Sequence, residues 1–355
     1  MKVNVRAAFL ALILFLVYST VFGFAAESSV EIHFLDVGQG DSTLIISNEK
    51  TVLIDAGTTF AGQAVVVPYL KNLGIDRIDV LIATHPHSDH IGGLIPVLEN
   101  FAIGEVWADG QIHTSRTYEN FLNLILKKDI PFNLARANQR VRSIEENTLI
   151  DEFIVLHPQE EFINGLNNNS VVIKLKIGEH SFLFTGDIEK EAEELLVNLK
   201  SDLTASVLKV AHHGSDTSSS EKFLDAVQPS IAVIPVGENT YGHPSKIVLE
   251  RLAERGVKIY STANAGTIVI SVTQDSIQVN ALETVVRMEE KIELRTATKQ
   301  DLMKIPGIGE VLAQRIIDYC QLHGLTSIDE LINVNGIGPA LLERIKQHAY
   351  IDFSL

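Results

Sequence analysis

Thr84-His85-Pro86-His87-Ser88-Asp89-His90 places three imidazoles and a carboxylate within six residues, directly after the apolar run Asp79-Val80-Leu81-Ile82-Ala83. The run is short and rich in β-branched residues, so it predicts a buried strand that delivers the cluster to a loop at its end. His85 and His87, two positions apart, can point to the same side, and Asp89 and His90 come round after a turn. Four ligands so placed can serve two adjacent divalent ions, the imidazole pair on the first and the carboxylate with an imidazole on the second. Gly92-Gly93 follows and is expected to let the backbone pass close to the ions before a helix begins at Leu94.

Two further strand ends carry the same chemistry. Leu183-Phe184-Thr185-Gly186-Asp187 is an apolar strand ending in Gly-Asp, and a carboxylate there can bridge two cations with both oxygens unobstructed. Val207-Leu208-Lys209-Val210-Ala211 ends in His212-His213-Gly214-Ser215. Three strand termini, each bearing metal-type ligands, carry the reading together where any one would be weak.

Strand-like and helix-like segments alternate over residues 30–282, in two blocks of strands with helices between them, which predicts an α/β domain of two sheets flanked by helices. Residues 283–291 are charged, lack Gly and Pro, and read as a linker. Residues 292–355 carry a wholly helical pattern with an internal repeat: Ile305-Pro306-Gly307-Ile308-Gly309 and Val334-Asn335-Gly336-Ile337-Gly338 each precede a helix, twenty-nine positions apart. At the other end, Lys2 and Arg6 precede an apolar run over residues 7–24, followed by Ala25, Ala26 and the polar Glu27-Ser28-Ser29. Residues 1–26 therefore read as an export signal, either cleaved near Ala25 or Ala26 or retained as one membrane anchor, and the protein is expected outside the cytoplasm.

One cysteine, Cys320, excludes an intramolecular disulfide framework and fits a small buried hydrophobe in a helix. The formal charge of −16 argues against a broadly basic nucleic-acid surface. Any contact with DNA must then be local and geometric.

Residues 30–282 resemble the metallo-β-lactamase superfamily and, within it, the hydrolase domain of ComEC-type DNA-uptake proteins. The resemblance rests on Phe34-Leu35-Asp36-Val37-Gly38-Gln39-Gly40-Asp41-Ser42, Leu53-Ile54-Asp55-Ala56-Gly57, the histidine heptad, Asn168-Asn169-Ser170, Phe184 to Asp187, His212 to Ser215 and Tyr241-Gly242-His243-Pro244. It implies an αββα sandwich. It also implies that His85 and His87 bind a first metal, Asp89 and His90 a second, that Asp187 bridges them, and that one of His212 and His213 adds a ligand. His212, the first residue past the strand, is favoured. Asp55 is expected to orient the ligand loop from behind, with Asp41 and Asn169 in similar supporting places; Asp41 could equally cap the backbone of its turn. Many superfamily members have a histidine before the strand that leads to the bridging aspartate. Here that place holds Asn167-Asn168-Asn169-Ser170, so the two ions are expected to be Zn or the harder Mn²⁺. Asp89 and His243 are the candidate catalytic groups, His243 contacting a phosphate or protonating a leaving group. His113 is expected to be a solvated surface histidine. No organic cofactor is implied.

Residues 292–351 resemble the tandem helix-hairpin-helix domain of ComEA-type DNA receptors. That resemblance implies sequence-independent binding of the DNA backbone by N–H groups at Gly307-Ile308-Gly309 and Gly336-Ile337-Gly338, helped by Lys304 and Lys346. The charge of the segment is nearly balanced, seven basic residues against eight acidic ones from Lys291 on, so attraction at long range is weak. The combined expectation is an exported, dinuclear-metal phosphodiesterase acting on DNA, related to competence and to uptake machinery at a membrane. A cell-envelope phosphodiesterase or esterase, and a non-catalytic DNA-binding component of an uptake apparatus, are the alternatives.

Overall fold

A computed structural model of the chain describes residues 29–284 and 292–351. The expected leader, and residues 285–291 of the expected linker, lie outside the described residues. The chain separates into two compact units, Met1–Val286 and Arg287–Leu355.

The first unit contains β1 (Val30–Phe34), β2 (Thr43–Ser47), β3 (Lys50–Ile54), β4 (Arg77–Ala83), β5 (Ala102–Ala108) and β6 (Phe132–Leu134). After these come β7 (Glu152–His157), β8 (Val172–Ile177), β9 (His180–Phe184), β10 (Val207–Lys209), β11 (Ile231–Ile234), β12 (Lys258–Ser261), β13 (Ile268–Val272) and β14 (Ile277–Asn280). One sheet has the order β14-β13-β1-β2-β3-β4-β5-β6 and the other β12-β11-β10-β9-β8-β7. Because side chains alternate across a strand, each strand feeds two cores. Val80 and Ile82 of β4 join Phe182 and Phe184 of β9 and Val207 of β10 in the core between the sheets. Leu81 and Ala83 face the other way, onto Leu94, Val97 and Phe121. Leu183 and Leu208 likewise pack under Leu196, Phe223 and Leu252. Helices therefore cover both outer faces, which is the expected αββα sandwich. Each fully buried Leu, Ile or Phe in these layers contributes roughly 1.5–3 kcal/mol against exposure.

The strand–helix alternation fails in two places. The first helix is broken, running as Thr59–Ala61, the wide turn Gly62–Val66 and then Val67–Asn72, and it starts where the Thr58 side chain caps it by accepting from the Ala61 N–H. The edge strand β6 is only three residues long and carries no readable alternation. Strands β4, β9 and β10 are neighbours of parallel strands in their own sheets, so their carboxyl ends, where the ligand-type residues lie, share one rim of the sandwich.

In the second unit, Glu310–His323 and Pro339–His348 follow the two glycine turns, and Lys299–Leu302 begins with a reciprocal Thr298/Asp301 cap. Ile305, Ile308, Ile316, Leu331, Ile337 and Ile345 form its core, with Cys320 buried among them. The unit is not wholly helical: Ile292–Glu293 pairs in parallel with Ala349–Tyr350, tying its first described residues to its last.

Candidate functional site

At the end of β4 the chain turns so that His87 precedes a single helical turn, Ser88–Ile91, carrying Asp89 and His90. His85 and His90 are buried and Asp89 is about one-third exposed. The His85 Nε2 and His87 Nδ1 atoms converge to 2.9 Å. Asp187, at the end of β9, reaches the same place: its Oδ2 lies 3.1 Å from His90 Nε2 and 4.0 Å from His85 Nε2. Gly186 before it has φ +51, and a Cβ there would stand 2.7 Å from the Ser170 Cβ. The Asp187 N–H donates to Ser170 Oγ at 3.1 Å, which fixes the backbone of Asp187 at the strand end.

Asp55 adopts φ +55 and is completely buried. Its carboxylate accepts from the Thr84 N–H at 2.9 Å and the Thr84 hydroxyl at 2.6 Å, and it lies 2.8 Å from His90 Nδ1. The His90 ring is thereby held with Nε2 toward Asp187, the arrangement by which a carboxylate behind an imidazole sets its tautomer.

The histidine that follows β10 into the cluster differs from expectation. His212 and His213 both have left-handed backbone, φ +50 and φ +52, and this double kink throws their side chains apart. His213 is buried, with Nδ1 donating to the Pro235 carbonyl at 3.0 Å and Nε2 lying 3.5 Å from Asp187 Oδ2 and 3.6 Å from Asp89 Oδ2. His212 is partly exposed and faces Glu189, 3.3 Å away, and Asn167. The preference for His212 is therefore reversed in favour of His213, since the residue nearest the strand end is the one turned outward.

Groups of donors close enough to share an ion comprise His85, His90 and Asp187; Asp89, His90 and His213; Asp41, Asp55 and His90; and Asp41, Asp187 and His213. The Nε2 of His213 and the Oδ1 of Asp187 are buried and have no hydrogen-bond partner. Two unsatisfied donor atoms in a cluster of carboxylates and imidazoles fit a divalent cation. The electrostatics agree. Burial disfavours the charged imidazole, but Asp187 and Asp41 outweigh it and push the His213 pKa up to about 10. The same balance, with Asp187 and Asp55, holds His90 well above its ordinary value. Burial likewise opposes ionisation of Asp187, and His90, His213 and Lys209 overcome it, keeping that carboxyl well below the usual range. The carboxylates thus favour positive charge at the place a cation would take.

No motif in the sequence marks Lys209. It is 3 % exposed, its Nζ pairs with Asp41 Oδ2 and donates to the Gly186 carbonyl at 2.7 Å, and it lies 3.7 Å from Asp187 Oδ1. The available signal was alternation: with Val207 facing the space between the sheets, Lys209 must face it too. Asp41 is therefore the buried partner of an ammonium as well as a neighbour of His213, 3.3 Å from its Nδ1. Asp36 is exposed and only caps its turn, accepting from the Gly38 N–H.

Other expectations are corrected. Asn169 touches no candidate ligand; its amide binds Ile163, Gly165 and Gln111 and pins the loop before β8. Gly92 and Gly93 let the loop close against the protein's own backbone, since a Cβ on Gly93 would stand 1.9 Å from the Ala56 carbonyl oxygen. His113 is partly buried, with its ring 6.4 Å from that of His87. His243 lies on the rim, its ring 5.6 Å from that of His212, and its Nδ1 is buried without a partner. Burial, then the neighbouring His212 and His213, lower its pKa, so it is neutral at neutral pH.

In the second unit, Gly307 and Gly336 have φ +96 and +106, and Gly309 and Gly338 precede their helices without a side-chain cap. Ile308 and Ile337 are buried anchors whose N–H groups donate to Ile305 and Val334, so they shape the hairpins and do not present these groups outward. Lys304 pairs with Asp301 at 2.8 Å, and Lys346 with Asp329 at 2.7 Å and Glu343 at 2.8 Å. Two arginines stand nearer the turns instead: Arg344 Nη1 donates to the Pro306 carbonyl at 3.0 Å and Arg315 Nη1 to the Asn335 carbonyl at 2.8 Å, each crossing to the other hairpin.

The family model described as "Metallo-beta-lactamase superfamily" matches residues 35–238, and that described as "Helix-hairpin-helix motif" matches residues 288–350. The chain is 31% identical over 260 residues to ComE operon protein 3 of Bacillus subtilis (strain 168), an alignment covering 68% of this chain and 33% of that protein. It is 32% identical over 246 residues to competence protein ComA of Neisseria gonorrhoeae, covering 68% of this chain and 32% of that protein. The chain thus spans about a third of the length of these relatives. Among solved structures, the metallo-beta-lactamase fold protein YhfI from Bacillus subtilis aligns with TM-score 0.48 and 12% identity, over 69% of this chain and 100% of that one.

Proposed function

Since the chain belongs to the metallo-beta-lactamase superfamily, we propose that its first unit is a dinuclear-metal phosphodiesterase that cuts DNA and that its second unit holds the substrate. The observation that carries this reading is the convergence of His85, Asp89, His90, Asp187 and His213 on one rim, with His87 Nδ1 2.9 Å from His85 Nε2, in a chain that also carries a helix-hairpin-helix motif. In this reading His85, His87 and Asp187 hold one ion, and Asp89, His90, His213 and Asp187 hold the other. When bound, such a pair supplies Lewis-acid charge and lowers the pKa of water at the site. Asp55 keeps His90 oriented, and the Pro235 carbonyl does the same for His213. Neutral His243 offers an N–H to a phosphoryl oxygen without adding positive charge, a role its lowered pKa supports better than that of a protonated acid.

The hairpins, with Arg315 and Arg344 beside them, are the proposed contacts to the DNA backbone. The competence names of the relatives support a place in DNA uptake, and residues 1–26 support a position outside the cytoplasm. The test is cleavage of single-stranded oligonucleotides and plasmid by the metal-stripped full chain reloaded with Mn²⁺ or Zn²⁺. Metal-dependent cleavage that His87→Ala abolishes is expected. No cleavage with either ion, or undiminished cleavage by His87→Ala, would overturn the proposal.

A further inference from the structure

Tyr241 is 74 % exposed, yet its backbone is held firmly. Asn239 Oδ1 accepts from the Tyr241 N–H at 3.0 Å and the His243 N–H at 3.1 Å, while Asn239 Nδ2 donates to the Gly237 and His243 carbonyls at 2.9 and 2.7 Å. One side chain thus ties the loop at four points and presents a large ring to water. That ring is the outermost of a row leading from the ligand cluster. The centroid of His213 lies 6.1 Å from that of His212, His212 5.6 Å from His243, and His243 5.8 Å from Tyr241 at an interplanar angle of 32°.

We propose that Tyr241 is a stacking platform for an unpaired nucleobase next to the phosphodiester being cut, and that it makes single-stranded DNA the preferred substrate. This rests on the reading of the first unit as a DNA-cutting phosphodiesterase. A duplex buries the faces of its bases in its own stack, whereas a single strand can lay one on an exposed ring. A ring whose loop is already ordered loses little entropy on contact. The chain's net charge of −16 gives no general attraction to a polyanion, so recognition near the site must come from contacts indifferent to charge, and stacking is one that every base can make. Removing one base–aromatic stack weakens binding roughly 5- to 100-fold.

The experiment uses the full chain carrying Tyr241→Trp, loaded with Mn²⁺. Its emission, corrected for Trp107 with the unsubstituted chain, is titrated with a deoxyadenosine oligomer and with an abasic oligomer of equal length, and hydrolysis of both is followed. Quenching by the base-bearing oligomer only, with Tyr241→Ala raising KM for single strands roughly 5- to 100-fold and leaving the cleavage rate at saturation, is the expected result. Hydrolysis without quenching, or equal quenching by the abasic oligomer, overturns the stacking role and leaves the phosphodiesterase reading intact. Base-dependent quenching without hydrolysis of any strand supports the platform and overturns the phosphodiesterase. Neither quenching nor hydrolysis overturns both.

Discussion

Replacing Lys209 by methionine keeps the reach of the side chain and removes its charge. Lys209 is 3 % and Asp41 5 % exposed at the side chain, so neither can turn to water when its partner is lost. Removing one member of a buried pair costs roughly 3–5 kcal/mol, because the survivor is left charged in a poor dielectric. His213 remains 3.3 Å from Asp41 Oδ1 as a counter-charge, which places the expected loss near the lower end, about 3 kcal/mol. For a unit of this size that is a fall in Tm of about 6–12 °C. The measurement is thermal unfolding in chelator, followed by emission of Trp107, the single tryptophan, which lies in the first unit. Asp41→Asn should cost a similar amount. The double variant should recover at least about 1.5 kcal/mol over the sum of the two, since neither charge is then stranded. Strictly additive losses, or a Tm change under about 2 °C for Lys209→Met, would refute the argument that this pair is a coupled buried charge.

His213→Ala should lower metal affinity at least about tenfold while His212→Ala leaves metal content unchanged, read by elemental analysis after dialysis; the opposite order would restore His212 as the ligand. In the ion-free protein His213 has a pKa of about 10 and His90 is also raised, so metal entry displaces protons and affinity should climb with pH from about 6.5 toward 10. The sign for ion-free stability is the reverse: the raised folded pKa contributes stability that is complete below about 6.5 and lost as pH rises through about 10. Titration calorimetry in buffers of different ionisation enthalpy checks the proton release, and an affinity flat with pH contradicts it. Asp55→Asn removes the carboxylate behind His90 and should weaken metal binding about 10- to 100-fold, measured by competition with a chelating dye. Gly309→Val with Gly338→Val is compatible with the fold, since both residues have negative φ and a Cβ there meets nothing within 4 Å. Gel shift should show weaker DNA binding at unchanged Tm; undiminished binding would remove the hairpins from the interface.

The strand segments, the two sheets flanked by helices and most of the residues that gather at the rim were legible because each depends on short stretches of chain. Alternation within Asp79–Ala83 separates Val80 and Ile82 from Leu81 and Ala83, and adjacent residues such as His85, His87, Asp89 and His90 are bound to share a loop. What could not be read were facts of direction and pairing. His212 and His213 are neighbours in sequence with opposite destinies, because two consecutive left-handed residues reverse the side-chain direction and no residue type announces that. Lys304 and Lys346 look available in sequence yet are held by Asp301, Asp329 and Glu343. Arg315 and Arg344 look unremarkable and cross between the hairpins.

By itself the sequence determined the two-module organisation and, through its motifs, the resemblance to the superfamily and a candidate ligand set of imidazoles and carboxylates, since these lie in short stretches of chain. Only the tertiary structure decided that His213 completes the cluster, that Asp41 answers a buried Lys209, and that Tyr241 stands at the end of a row of rings. Those three facts bring together residues as far apart as position 41 and position 209, and which distant groups meet in a low-dielectric interior is settled by packing, not by neighbours along the chain.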